Sequence, residues 1–297
     1  MSAVLLCDSS DRAPWLEARQ AGIGASEIAA VFGLGFKTPL QLWALKSGHI
    51  APDDLSGVGA VEWGNRLEAS VIQAALDASG ADLVPGKGGI LFQHSDHPWM
   101  LATPDAVAID DRGQFLIEAK TTRNAKAWEH GPPPHVVMQA QQQMAVMDLE
   151  RCLVAVLIQG SDFRTHWVDR SESTIGAIVS QGGAFWDSVQ QGIEPPAMAD
   201  DGPVLFDLHP QEEEGATVDL GIRGQEWAEE LAHLTEQEKR IGKRKKEINN
   251  KIKQEIGDAE IGIYPGGRWT YRQQNRAAYT VDAKTFRTLR HAATKEG

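Results

Sequence analysis

Residues 98–122 constrain this chain most. They read PWMLATPDAVAIDDRGQFLIEAKTT, two strand-like runs joined by a tight DDRG turn. Successive side chains of a strand point to opposite faces. Glu118 and Lys120 therefore share a face with Leu116, while Phe115, Ile117 and Ala119 take the other. Asp105 stands before the turn, so a hairpin brings it beside Glu118. Two carboxylates and one ammonium on a sheet surface suit a hard divalent cation and a phosphodiester. Carboxylate oxygens hold magnesium, and the metal polarises phosphate and lowers the pKa of a bound water. The lysine orients that water or stabilises developing negative charge. Taken alone, a solvated salt bridge accounts for most patterns of this kind.

Three further segments add weight. Residues 19–33, RQAGIGASEIAAVFG, place Gly22 and Gly24 in a flexible loop, with Ser26 as N-cap of a short amphipathic helix over residues 27–32. Free N–H groups at a helix start attract anions, and the Arg19 guanidinium can clamp the same anion. No Gly-Lys-Ser/Thr follows, so this is not a Walker A loop; an ordinary capped helix is the plain alternative. Residues 61–79, VEWGNRLEASVIQAALDAS, carry a helical stripe of Leu67, Val71, Ala74 and Ala75, with Glu68 beside it. Glu68 is either a metal ligand or a rim carboxylate. Residues 135–148, HVVMQAQQQMAVMD, read as a helix packed through Val136, Met144, Val146 and Met147. They carry Gln139, Gln141, Gln142 and Gln143. An amide can donate to a phosphate oxygen without adding charge; a polar helix face is the alternative, and spacing singles out no one glutamine. Two strands, CLVAVLI and FRTHWVD, follow. The order of elements predicts an α/β core with a mixed sheet.

In this order the motifs resemble the YqaJ-type phage recombination nucleases, relatives of lambda exonuclease in the PD-(D/E)XK superfamily. The resemblance runs from about Trp15 to Pro196. It rests on Arg19 with GIGASEIAAVFG, on WGNRLE, ATPDAV, IEAKTT and QAQQQMAV, and on FWDSVQQGIEPP. It implies a restriction-endonuclease-like core, a mixed central sheet flanked by helices. It also implies a magnesium-dependent exonuclease, with Mn2+ as a substitute, that degrades one strand of duplex DNA from a 5′ end in recombination by single-strand annealing. Asp105 and Glu118, with the backbone carbonyl of Ala119, become metal ligands. Lys120 becomes the catalytic lysine and Glu68 the helix glutamate of the metal site. Arg19 and Ser26 match the pair that binds a 5′-terminal phosphate. Gln139 matches the helix glutamine, with Gln141 a close rival. Arg123 or Lys126 supplies a further basic contact to DNA. Implied partners are duplex DNA ends, a single-strand annealing protein and further copies of the chain, a ring trimer among the options. Two other readings stand beside this one: an endonuclease of the same superfamily, and a DNA-end-binding recombination protein without catalysis.

The 297 residues, 42% of them hydrophobic, are enough for one large domain and an appendage. No leader and no apolar run near 18 residues is present, so neither a signal peptide nor a membrane span is expected. With only Cys7 and Cys152, one chain builds no disulfide framework, zinc ribbon or four-cysteine iron–sulfur cluster. The host cytoplasm is the expected compartment. His94 and His97 lie in a loop-like context without a third ligand, so no zinc site is expected.

Net charge is −12, but it is unevenly spread. Residues 1–236 hold 14 basic and 34 acidic side chains, and residues 237–297 hold 15 basic and 7 acidic. An acidic core repels a polyanion unless a basic surface or metal ions offset it. The tail is therefore either a DNA contact or an internal partner for the acidic part. The expected organisation is a nuclease core at 1–196, an acidic linker at 197–224 and a basic arm at 225–297. The arm comprises a long helix over 225–256 and a β-hairpin turning at Pro265-Gly266-Gly267. Trp269 and Tyr271 alternate with Arg268, Arg272 and Arg276, which suits stacking and phosphate contact, although a plain exposed hairpin face is the more frequent cause. Residues 292–297 are expected to be disordered.

Overall fold

The computed structural model describes residues 3–275. The chain divides into two compact units, Met1–His209 and Pro210–Gly297. The first unit opens with β1 (Val4–Asp8), α1 (Arg12–Gln20), β2 (Ile23–Gly24), α2 (Ile28–Val31), α3 (Pro39–Lys46) and α4 (Gly59–Ser79). It continues through β3 (Asp82–Leu83), β4 (Ile90–Gln93), β5 (Met100–Ala102), β6 (Ala106–Asp110) and β7 (Gly113–Thr122). A 3-10 turn at Ala125–Trp128 leads to α5 (Pro134–Met147), β8 (Arg151–Ile158), β9 (Asp162–Asp169), α6 (Glu172–Gln191) and α7 (Gly202–Leu208).

The hairpin is β6–β7. Its register runs from Ala106 opposite Ile117 to Asp110 opposite Gly113. Asp110 Oδ1 accepts the Arg112 N–H at 2.9 Å and Gly113 takes φ +108°, which close the turn. Extending the register by one residue sets Asp105 opposite Glu118. The main sheet has the order β3-β6-β7-β8-β9. It is mixed because α5 carries the chain back over the sheet to lay β8 parallel to β7. The strand alternation is realised on both faces. Leu116, Val154 and Val156 pack with Trp128, Val136, Ala140 and Met144, under α5. Phe115, Ile117, Leu153 and Ala155 pack with Val71, Ala75 and Leu76 of α4. β7 is therefore held between two helices, and its functional side chains sit in a frame buried on both sides.

A second, four-stranded sheet has the order β1-β4-β5-β2. It adjoins a core formed by α2, α3 and α6 around Trp43, Ile28 and Ile178. Thr38 caps α3 through the Gln41 N–H, and the Gln41 side chain returns to the Thr38 N–H, a complete capping box.

The expected linker at 197–224 is structured in its first part. Asp201 is fully buried and bonds to the Thr38 hydroxyl and the Met198 N–H, and the Gln41 amide donates to the Asp200 carbonyl. Val204 of α7 is buried with them, so the first unit extends to His209. Acidic composition suggested a solvated linker; here one of those acids caps buried polar groups instead.

In the second unit, α8 (Gly221–Ile256) precedes a hairpin of β10 (Ile261–Tyr264) and β11 (Gly267–Thr270). Ile261 pairs with Thr270 and Tyr264 with Gly267. Lys253 lies over the Tyr271 ring, and Arg272 pairs with Glu260 at 3.1 Å. Arg276 and residues 292–297 lie outside the described residues. No described helix is long and apolar enough to cross a membrane.

Candidate active site

A cavity of about 460 Å³ opens in the first unit between α1, the Gly24–Ser26 turn, α4, the start of β6, the end of β7 and α5. Arg19, Ser26, Glu68, Asp105, Glu118, Ala119, Lys120 and Gln139 all line it. Residues far apart in the sequence thus share one space.

Glu118 is the best-held group. It is 1% exposed, and both carboxylate oxygens are engaged. Gln139 Nε2 donates to Oε1 at 2.7 Å and Gln143 Nε2 to Oε2 at 2.8 Å. Lys120 Nζ lies 2.5 Å from Oε1 and donates to Gln139 Oε1 at 3.2 Å. Gln139 and Gln143 are one helical turn apart on α5, so they meet the same carboxylate. Asp105 is half-buried, and its Oδ2 accepts the Ala119 N–H at 2.8 Å, tying the two strands together beside Glu118.

These charges perturb one another. Burial, then the like charge of Glu118, pushes the Asp105 carboxyl well above its ordinary range; Lys120 works against this. Burial also raises Glu68, again with Glu118 and against Lys120, although Glu68 stands at the open side of the cavity. For Lys120, burial alone would lower the ammonium, but Glu118 and Asp105 outweigh it and hold the group above the usual lysine value. Hard carboxylate oxygens that repel one another in a polar cavity are a donor set that suits a small divalent cation. Among the described residues no three His, Cys, Asp or Glu side chains converge on one point. The arrangement is therefore open, with one or two protein carboxylates, as magnesium prefers when phosphate and water complete its shell.

The group around Arg19 is built differently from expectation. Ser26 does not cap α2: that helix has only four residues, and Ser26 is exposed on the turn before it. Glu27 supplies the order instead. Its Oε2 accepts the Gly24 N–H at 2.8 Å and pairs with Lys46 at 2.9 Å, and its Oε1 pairs with Arg19 at 3.2 Å. Lys46 is buried and also donates to the Arg19 carbonyl at 2.8 Å. Burial would raise Glu27, yet Lys46 and Arg19 hold it below its ordinary value. Arg19 lies over the Trp15 ring at 4.7 Å, which fixes the guanidinium plane.

Three expected residues are elsewhere. Gln141 is 2% exposed, donates to the Asp169 carbonyl at 2.8 Å and accepts the Ser171 N–H at 2.8 Å, so it fastens the β9–α6 junction and does not line the cavity. Arg123 and Lys126 are exposed after β7 and do not line the cavity. Sequence reasoning did not single out Gln143 among the glutamines, and it missed Glu27 and Lys46 as partners of the Arg19 group. For Gln143 a signal existed, since it lies four residues after Gln139. For Lys46, inside an apolar run, nothing marked the partner.

Residues 14–150, which contain all the residues named above as lining the cavity, match the YqaJ-like viral recombinase domain. Over a longer stretch, the chain is similar to the uncharacterized protein YqaJ of Bacillus subtilis (strain 168), 29% identical over 261 residues, 85% of this chain and 80% of that one. In fold it is similar to the alkaline exonuclease LHK-Exo from Laribacter hongkongensis, alone and in complex with dAMP. Each of those structures gives a TM-score of 0.51 at 20% identity, over 60% of this chain and 93% of that chain. The chain thus shares a fold with that exonuclease, and its main sheet is mixed, as the order of elements predicts.

Proposed function

We propose that this chain is a magnesium-dependent 5′-to-3′ exonuclease that degrades one strand of duplex DNA, with manganese able to replace magnesium. The observation that carries the reading is the joint lining of one cavity. Asp105, Glu68, Glu118 and Lys120 stand in the same space as Arg19 and Ser26. Chemistry at a phosphodiester and a grip on a strand end need these two groups within one nucleotide's reach. The match to the YqaJ-like viral recombinase domain and the fold shared with an alkaline exonuclease support it.

Asp105 and Glu118, with the carbonyl of Ala119, would hold the magnesium ion, and Glu68 would support it directly or through water. When bound, the ion supplies Lewis-acid stabilisation of charge on the scissile phosphate. Lys120 positions the attacking water or stabilises the developing negative charge. Gln139 orients both Glu118 and Lys120. Gln143 holds the other Glu118 oxygen. Arg19 and Ser26 grip the 5′-terminal phosphate, so cleavage is counted from an end. Degradation leaves a 3′ tail, for which a single-strand annealing protein is the fitting partner. A homo-oligomer, such as a ring trimer around the duplex, belongs to the same reading.

The test is degradation of linear duplex DNA in magnesium, comparing 5′-phosphate with 5′-hydroxyl ends and a closed circle. Loss of the phosphorylated strand with the circle intact is the expected result. Equal cutting of all three would keep the metal site, discard the end grip and make the protein an endonuclease. Binding of ends without cutting would make it a non-catalytic recombination protein.

A further inference from the structure

Arg12 takes no part in the grip of Arg19 and Ser26. It opens α1, three residues before Trp15, and Arg19 follows four residues after Trp15, so all three share one helical face. Each guanidinium carbon lies 4.7 Å from the centroid of the Trp15 ring. All three side chains line the cavity. Stacking on an indole fixes the plane of a guanidinium and leaves its N–H edge free to bind an anion.

The two arginines differ in their counter-charges. Arg19 is paired with Glu27, and Glu27 is shared with Lys46. Arg12 makes no ion pair or side-chain hydrogen bond among the described residues. Arg12 thus offers the cavity a guanidinium without an ion-paired carboxylate, beside the Glu27-paired Arg19. Two helical turns, about 10 Å, separate the Arg12 and Arg19 backbones, with the indole in contact with both guanidinium groups. That spacing offers the two forks different phosphates of one strand.

We infer that Arg12 binds the first internal phosphodiester of the strand whose terminal phosphate Arg19 and Ser26 hold. The inference rests on the end-gripping reading of Arg19. It extends the recognised substrate from a phosphate to a strand end with its first backbone link. It assigns Trp15 the task of spacing the two guanidinium groups.

The test is fluorescence anisotropy of the full chain with a linear duplex, without divalent metal, titrated with salt. The duplex bears either 5′-phosphate or 5′-hydroxyl ends. Wild type, R12Q and R12K are compared. R12Q should weaken binding about tenfold to both ends, as expected when one charge-assisted hydrogen-bonded pair is removed. Its slope of log affinity against log salt should fall by roughly one. R12K, which keeps the charge, should restore most of the slope. R12Q that matches wild type in affinity and slope overturns the inference. So does R12Q that loses only the preference for a phosphorylated end, because Arg12 would then bind the terminal phosphate. Wild type that binds without regard to the 5′ phosphate tells against the Arg19–Ser26 grip, while the Arg12 effect is still read on the hydroxyl-ended duplex. Wild type that binds no DNA overturns both.

Discussion

Lys120 and Glu118 share a face of β7 because strand side chains alternate, and what each does there follows from burial. Lys120→Ala removes the ammonium that stands beside Asp105 and Glu118. It should lower single-turnover hydrolysis by about 10²–10³-fold, the size typical for one preorganised charge-stabilising donor, while end binding persists. Gln143→Ala strips a buried carboxylate oxygen of its donor. The expected cost is about 1–3 kcal/mol in stability, read by denaturant unfolding, together with slower cleavage as Glu118 loses its fixed orientation. Glu27 gives a pH test. Its carboxyl is held below the ordinary value of 4.5 by Lys46 and Arg19 despite burial. A group depressed in the folded state stabilises above its unfolded pKa, and that contribution disappears as pH falls through the folded value. The stability gap between wild type and Glu27→Gln should therefore be full at pH 7 and shrink below about pH 4.5. At pH 7 it should be about 3–5 kcal/mol, because the variant leaves Lys46 buried without its partner. A gap that grows on acidification would reject this account.

At the scale of elements, two close approaches decide how the site is built. A Cβ on Gly22 would lie 2.5 Å from the Trp99 carbonyl, where β2 pairs with β5. Backbone cannot move aside cheaply, so Gly22→Ala should destabilise the fold, seen as a lowered Tm. A Cβ on Gly24 would instead meet Glu27 Oε2 at 2.9 Å and Arg19 Nη2 at 3.2 Å, the mobile ends of two side chains. Gly24→Ala should displace Arg19 and weaken the preference for phosphorylated ends more than it lowers Tm. The β6–β7 hairpin and α5 were legible in the sequence. Their alternation and turn chemistry are local, and the apolar partners are symmetric about the strand. The glutamine run was legible only as a helix. Gln142 donates to the carbonyls of Ile23 and Leu101, Gln141 to that of Asp169, and Gln139 and Gln143 to Glu118. Four neighbours with the same side chain serve three different places because successive helical positions point in different directions. Composition cannot separate them. Ser26 is the converse case: its residue type fits an N-cap, but Glu27 is drawn to Arg19 and Lys46, and the helix that follows is a single turn.

For the whole molecule, charge poses the main question. The 14 basic and 34 acidic side chains of residues 1–236 disfavour a polyanion, and those of 237–297, 15 basic and 7 acidic, favour one. Replacing Lys243, Arg244, Lys245 and Lys246, exposed along α8, with glutamine should weaken DNA binding. It should also reduce its salt dependence by roughly 0.9 for each phosphate that is no longer neutralised. An unchanged slope would assign that basic run to a task other than DNA. If the protein encircles duplex as a ring trimer, sedimentation should give three times the 32.4 kDa chain. A monomer that still degrades ends would discard the ring. The sequence by itself determined the hairpin, the order of elements and the shared strand face of Glu118 and Lys120, because each of these is written in local periodicity or in a run of adjacent residues. Only the tertiary structure decided which glutamine faces Glu118, that Glu27 and Lys46 stand behind Arg19, that Asp201 is buried beneath α3 and that Arg12 shares a tryptophan with Arg19. Those pairings join residues far apart in the chain or choose among neighbours of one kind, and only packing selects between them.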